Sequence, residues 1–123
     1  MTLFTKKQTG DAGEGYCVRH LKKHGYRVLE RNYRKPCGEI DVIAEKGGVL
    51  CFVEVKTRRF DSLTAPYEAV DNKKQRRLIR AAQVYLAETG WSGFCRFDVC
   101  EVITDPGTLR LLMLNYIENA FES

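Results

Sequence analysis

Two β-rich runs, residues 39–45 and 49–57, flank the dipeptide Gly47-Gly48, and this arrangement constrains the chain more than any other feature. Both glycines can take positive φ, as a two-residue hairpin loop demands. With Gly47 and Gly48 as that loop, Lys46 pairs with Val49, and counting outward sets Asp41 opposite Glu54. Cross-strand neighbours hold their Cβ atoms about 4.5–5.5 Å apart. Two carboxylates at that separation repel unless a proton or a cation intervenes. Lys56 lies two residues beyond Glu54, and Glu39 two before Asp41, so alternation brings both to the same face. Ile40, Val42, Val53 and Val55 are expected on the opposite, packed face.

Charges embedded in apolar strands need a partner or a purpose. Hard oxygen donors suit Mg²⁺ or Mn²⁺. A divalent ion held by Asp41 and Glu54 would neutralise a phosphate and acidify a bound water. A lysine beside it would orient that water or stabilise the charged transition state. The same spacing also suits a surface cross-strand ion-pair cluster of Asp41, Glu54 and Lys56, which needs no chemistry.

Around the hairpin, helical periodicity runs from about residue 9 to residue 24 and stops at Gly25. Cys17, Val18 and Leu21 form its apolar stripe, and the same spacing carried backwards places Glu14 on the inward face. Residues 26–29 have the pattern of a short strand and 32–38 that of a loop. After a loop over 58–66, Asp71 can cap a helix to about residue 88, ended by Gly90. Leu78, Ala81, Ala82 and Tyr85 make its buried stripe; Lys73, Arg76 and Arg80 fall on the other side. Strands follow at 94–103 and 109–117, turning at Asp105-Pro106-Gly107. The expected fold class is α/β: a mixed five-stranded sheet flanked by helices, in the order α-β-β-β-α-β-β. A chain of 123 residues makes this a single domain over 1–123.

Charge distribution bears on the partner. Residues 19–35 hold seven Lys/Arg against Glu30, and residues 56–80 hold eight against Asp61, Glu68 and Asp71. Two basic blocks on one small domain suit a polyanion, although a solvated charged surface has the same composition. No apolar stretch is long enough to span a membrane. Lys6 and Lys7 are followed by no apolar run, so no secretory signal is expected and the chain is placed in the cytoplasm. Five cysteines without a Cys-x-x-Cys pair are expected as reduced thiols. His20 and His24 have metal-ligand spacing, but Lys22 and Lys23 beside them favour an exposed face.

Gly38-Glu39-Ile40-Asp41 followed by Phe52-Val53-Glu54-Val55-Lys56-Thr57-Arg58 resembles the core of the PD-(D/E)xK nucleases, and within them the YraN-like family of small bacterial proteins. The similarity covers nearly the whole chain. It includes Gly13-Glu14, Gly25-Tyr26, Asn32-Tyr33-Arg34, the helix from Lys73 to Leu86, Arg96-Phe97-Asp98 and Asn119-Ala120-Phe121. The resemblance implies a restriction-endonuclease-like core and a Mg²⁺- or Mn²⁺-dependent endonuclease. It makes Asp41 and Glu54 metal ligands, joined by the backbone carbonyl of Val55, with Lys56 as the catalytic lysine. Archaeal Holliday junction resolvases, a similar branch, place a first-helix glutamate near the metal, a role Glu14 matches. Ile40 stands where the motif has its nominal proline. DNA is expected ahead of RNA as substrate, in structured or branched form. Arg58, Arg59, Lys73, Arg76 and Arg80 are the expected phosphate contacts. A homodimer through the apolar C-terminal strand is a fold-level analogy. A non-catalytic nucleic-acid-binding module on the same fold is the alternative.

Overall fold

The computed structural model describes residues 4–60 and 72–122. Its elements run α1 (Lys6–Lys23), β1 (Arg27–Lys35), β2 (Gly38–Lys46), β3 (Val49–Arg59), α2 (Asn72–Thr89), β4 (Phe94–Thr104) and β5 (Leu111–Phe121). One five-stranded sheet has the spatial order β1-β2-β3-β4-β5. All neighbours are antiparallel except β3 and β4, which are parallel and joined through α2. This is the expected mixed sheet and element order.

α1 begins at Lys6 because Thr5 caps it. The Thr5 hydroxyl accepts from the Gln8 N–H, and the Gln8 side chain accepts from the Thr5 N–H. This reciprocal box satisfies two helix-end donors, and it starts the helix ahead of the apolar stripe. Cys17, Val18 and Leu21 then pack on Val42, Ala44, Cys51, Val53, Cys100 and Val102. α2 covers the other face with Leu78, Ala81, Ala82 and Tyr85 against Ile40, Ile43, Leu50, Phe52 and Phe97. The Asp71 cap and residues 61–66 of the expected loop lie outside the described residues; β3 itself continues through Arg58 and Arg59.

Two expectations change. Residues 32–35, read as loop, continue β1: Arg34 pairs with Glu39 and Lys35 with Gly38. Ladder hydrogen bonds to β2 supply what local propensity lacks. Positive φ at Asn32 and a register shift between Val28 and Glu30 let the strand bend as it does so. The second change concerns the faces. Both sides of the sheet are packed, and alternation in β2 breaks at Asp41. Ile40 therefore joins the α2 side, while Val42, Val53 and Val55 stay on the α1 side.

Backbone and helix come very close where β2 starts. A Cβ built on Gly38 would sit 1.9 Å from the Arg77 carbonyl oxygen of α2. On α1, a Cβ on Gly13 would meet the Thr57 Oγ1 at 1.8 Å. Cys17, Cys51 and Cys100 are buried free thiols in the α1-side core, where cysteine acts as a small apolar residue; Cys95 is exposed. β5 is an edge strand with Leu111, Leu112 and Met113 exposed. Among the described residues no helix is long and apolar enough to cross a membrane.

Gly38→Ala is expected to destabilise the protein by about 1–3 kcal/mol, since the obstructing atom is backbone and cannot rotate away. Gly15→Ala, where nothing lies within 4 Å of the new Cβ, should be neutral or stabilising. Urea unfolding of both variants checks this; equal midpoints would refute the close approach of α2 to β2.

Candidate active site

The β2–β3 ladder has the register counted from the hairpin, from Lys46 with Val49 to Val42 with Val53, and there it ends. Strand geometry would send the next inward N–H, that of Val55, to the Ile40 carbonyl. Instead it donates to Asp41 Oδ2 at 2.8 Å. A side-chain carboxylate thus takes the place of a ladder bond, and β2 leaves β3 at that point. In a strand, the carbonyl of a residue leaves on the same side as its N–H. The Val55 carbonyl therefore faces the same gap as the Asp41 carboxylate.

Glu54 meets Asp41 in this gap, the two carboxyl groups lying in hydrogen-bond contact. Burial pushes the Glu54 carboxyl up to about 8, and the Asp41 charge adds to the rise. Lys74 of α2 pulls the other way, with its Nζ 3.8 Å from Glu54 Oε1. Burial also raises Asp41, but the Val55 N–H and the bond from Glu54 both favour its charged form. In the metal-free protein the shared proton therefore resides on Glu54, which donates to Asp41.

Glu14 is buried on the inward face of α1, as its spacing predicted. Its Oε1 accepts from Asn32 Nδ2 at 2.8 Å and from Arg31 Nε at 3.4 Å. Its carboxyl is raised by burial and then by the charge of Asp41, with Arg31 and Asn32 opposing. The positive-φ turn at Asn32 is what brings that amide to Glu14, and no periodicity in the sequence announces it.

Other expected residues are spread more widely. Lys56 follows Glu54 on β3 and is the register partner of Glu101 on β4; among the described residues it makes no ion pair. Arg58 Nη1 lies 3.6 Å from the buried carboxylate of Glu101. Arg59 lines the cavity beside the acid pair. Glu39 is exposed and pairs with Arg34 at 3.6 Å, yet its charge reaches the acid pair and raises both Asp41 and Glu54. Lys73, Arg76 and Arg80 are solvent-exposed on the outer side of α2. The α2 cation at the site is Lys74. Its spacing of four from Leu78 put it on the buried stripe, a signal present in the sequence. Glu101 was also legible, as one of two carboxylates, with Asp98, in the apolar run of β4.

Among the described residues no three His, Cys, Asp or Glu side chains form a ready cluster for a metal. The donor set is instead two carboxylates and one backbone carbonyl. Those donors fit Mg²⁺ or Mn²⁺, which take one or two carboxylates and complete their shell with water and phosphate oxygens. The raised carboxyl groups agree with this fit, because a dication would remove the repulsion that now holds a proton between them.

Beside the acids opens a cavity of about 740 Å³ between the first turns of α1 and the ends of β1, β2 and β3. Glu14, Asp41 and Val55 form its inner wall, with Lys6, Arg34 and Arg59 among the cations around them.

Comparison with known proteins matches residues 13–102, which include Glu14, Asp41, Glu54 and Lys56, to the family described as "Uncharacterised protein family UPF0102". The chain belongs to the UPF0102 family. The UPF0102 protein of Symbiobacterium thermophilum is 49% identical over 95% of this chain and 98% of its own. That of Alkaliphilus metalliredigens is 47% identical over 94% of this chain and 98% of its own. That of Caldanaerobacter subterraneus is 42% identical over 98% of this chain and all of its own. The YraN-like resemblance read from the motifs is thus the family itself.

A carboxyl group raised on folding binds its proton more tightly in the native state. Its contribution is fully present below the ordinary value of 4.5 and is lost as pH rises through about 8. Metal-free protein should therefore lose stability across that window. Glu54→Gln, which keeps a donor to Asp41 without a charge, should be the more stable form at the alkaline end by on the order of 2 kcal/mol. Melting curves in chelator at several pH values read this, and a parent–variant gap independent of pH would sink it.

Proposed function

We propose that this UPF0102 protein is a metal-dependent endonuclease hydrolysing phosphodiester bonds in structured or branched DNA. The observation that carries the proposal is the meeting of Asp41 and Glu54 beside the Val55 carbonyl, where the β2–β3 ladder stops. Asp41, Glu54 and that carbonyl would hold Mg²⁺ or Mn²⁺, with Glu14 behind them. The ion would supply Lewis-acid activation of the phosphate and a more acidic water.

The protein's own residues have separable tasks. Asp41 is fixed by the Val55 N–H, so its free oxygen is held in one direction. Glu54, placed against Asp41, closes the pair and, once ionised, would be the second carboxylate to hold the cation. Lys56 is two residues farther along the same strand, at the right end of β3 to meet the phosphate or the attacking water. Lys74 adds a positive charge on the α2 side and favours the ionised form of Glu54. Arg58 and Arg59 continue the basic edge of β3 for the nucleic-acid backbone. A binding module without turnover would have no use for a half-buried acid pair that must hold a proton between its members. That favours the enzyme over the non-catalytic alternative.

The test is a panel of labelled duplex, flap, four-way junction, single-stranded DNA and RNA, each with Mg²⁺, Mn²⁺ or chelator. Metal-dependent cleavage of a branched DNA is expected. Lys56→Ala and Asp41→Asn should each lower its rate by at least about a hundredfold, the scale of a lost acid–base or electrostatic group. Cleavage that survives Lys56→Ala undiminished refutes the assignment.

A further inference from the structure

The cavity beside the acid pair has a construction that hydrolysis alone does not explain. α1 opens with Lys6 and Lys7 and has no acidic residue in its first turn. Cations there oppose the positive end of the helix dipole; Lys7 is answered by Asp11 at 3.1 Å, and Lys6 brings its charge to the same rim of the cavity. Gly10 lines the same cavity from the second turn, and nothing lies within 4 Å of a Cβ built on it. Glycine inside a helix is costly. At Gly13 a close approach to Thr57 demands it, but at Gly10 only the open cavity would be lost. Phe4 contributes an aromatic side chain to the lining, and Arg34 of β1 faces in from the other side. These local choices, each poor for α1 by itself, converge on one space whose inner wall is Asp41 and Val55. Local conflicts of this kind mark functional sites.

We propose that this cavity receives one unpaired nucleotide of the bound nucleic acid. Its volume of about 740 Å³ is in the range of sites for single small ligands, about 300–1,000 Å³. It accommodates a nucleotide but not a base-paired segment. Phe4 offers a face on which a base stacks in a sequence-tolerant way. Lys6 and Arg34, with the α1 N-terminus, offer positive charge to its flanking phosphates. A nucleotide seated there sets the adjoining phosphodiester against Asp41, the member of the acid pair that lines the cavity. The inference rests on the nuclease reading above and sharpens it: the protein selects strands with an unpaired nucleotide at the cut, not a base sequence.

Fluorescence anisotropy tests this with labelled oligonucleotides of one sequence as blunt duplex, flapped duplex and single strand, in Ca²⁺ so that no strand is cut. The unpaired forms should bind at least about tenfold tighter than blunt duplex, since stacking one base contributes about that much or more. Gly10→Leu, which fills the cavity, should remove the preference. Gly15→Leu, also into open space but outside the cavity, should keep it. Phe4→Ala should weaken only the unpaired forms. Equal affinity of the parent for flapped and blunt duplex overturns the proposal. So does a preference that survives Gly10→Leu in protein with an unchanged circular dichroism spectrum. Lys56-independent cleavage would remove the nuclease reading and leave this binding preference standing. Lys56-dependent cleavage without the preference would remove the cavity assignment alone.

Discussion

The bond from the Val55 N–H to the Asp41 carboxylate governs the candidate site. It stands where a strand–strand bond would otherwise run, so it satisfies a buried donor and ends the ladder at once. With the ladder ended, Ile40 can turn to the α2 side, the Val55 carbonyl faces the gap, and Glu54 meets Asp41. A continuous hairpin would have consumed the Val55 carbonyl in pairing and left no opening beside the acids. Helices on both faces then bury the pair, and burial is the largest cause of the raised Glu54 carboxyl.

Two acidic centres in this sheet show opposite logics. Asp98 is fully buried, and every approach to it is a donor. Arg96 Nε lies 3.0 Å from both oxygens, the Tyr116 hydroxyl 2.6 Å from one and the Asn119 N–H 2.9 Å from the other. That network ties β5 to β4 and, through Arg96 and Tyr26, to the start of β1. Its charge is met in full, as a structural carboxylate requires. Asp41 and Glu54 are instead half-buried against each other, with Glu14 nearby and, among the described residues, only Lys74 within ion-pair reach of Glu54. Such a centre is incomplete electrostatically, and its Asp41 lines the cavity.

Much of the fold was legible because its signals are local. Gly47-Gly48 fixed the hairpin register, since both residues do take positive φ, 59° and 80°. The stripe of α2 and the inward position of Glu14 followed from helical spacing alone. The second half of β1 was not legible: Asn32, Lys35 and Pro36 have turn chemistry, and only pairing with β2 makes residues 32–35 a strand. The assignment of each β2 residue to a face was also hidden. Strict alternation predicts one apolar face, whereas the break at Asp41 redistributes Ile40 and Val42 to opposite cores.

The order of residues determined which groups could meet. A two-residue turn permits one register, and that register runs to Val42 with Val53, one step short of positions 41 and 54. Tertiary structure decided what the meeting amounts to. Whether the acids are solvated or buried depends on α1 and α2 closing over both sides. Whether Lys74 or its neighbours stand beside Glu54 depends on how α2 is rotated against β2, which the backbone approach at Gly38 sets. The cavity along Gly10 exists only because helix and strand ends diverge there. Those outcomes arise from packing between segments distant in sequence, and short-range spacing carries no record of it.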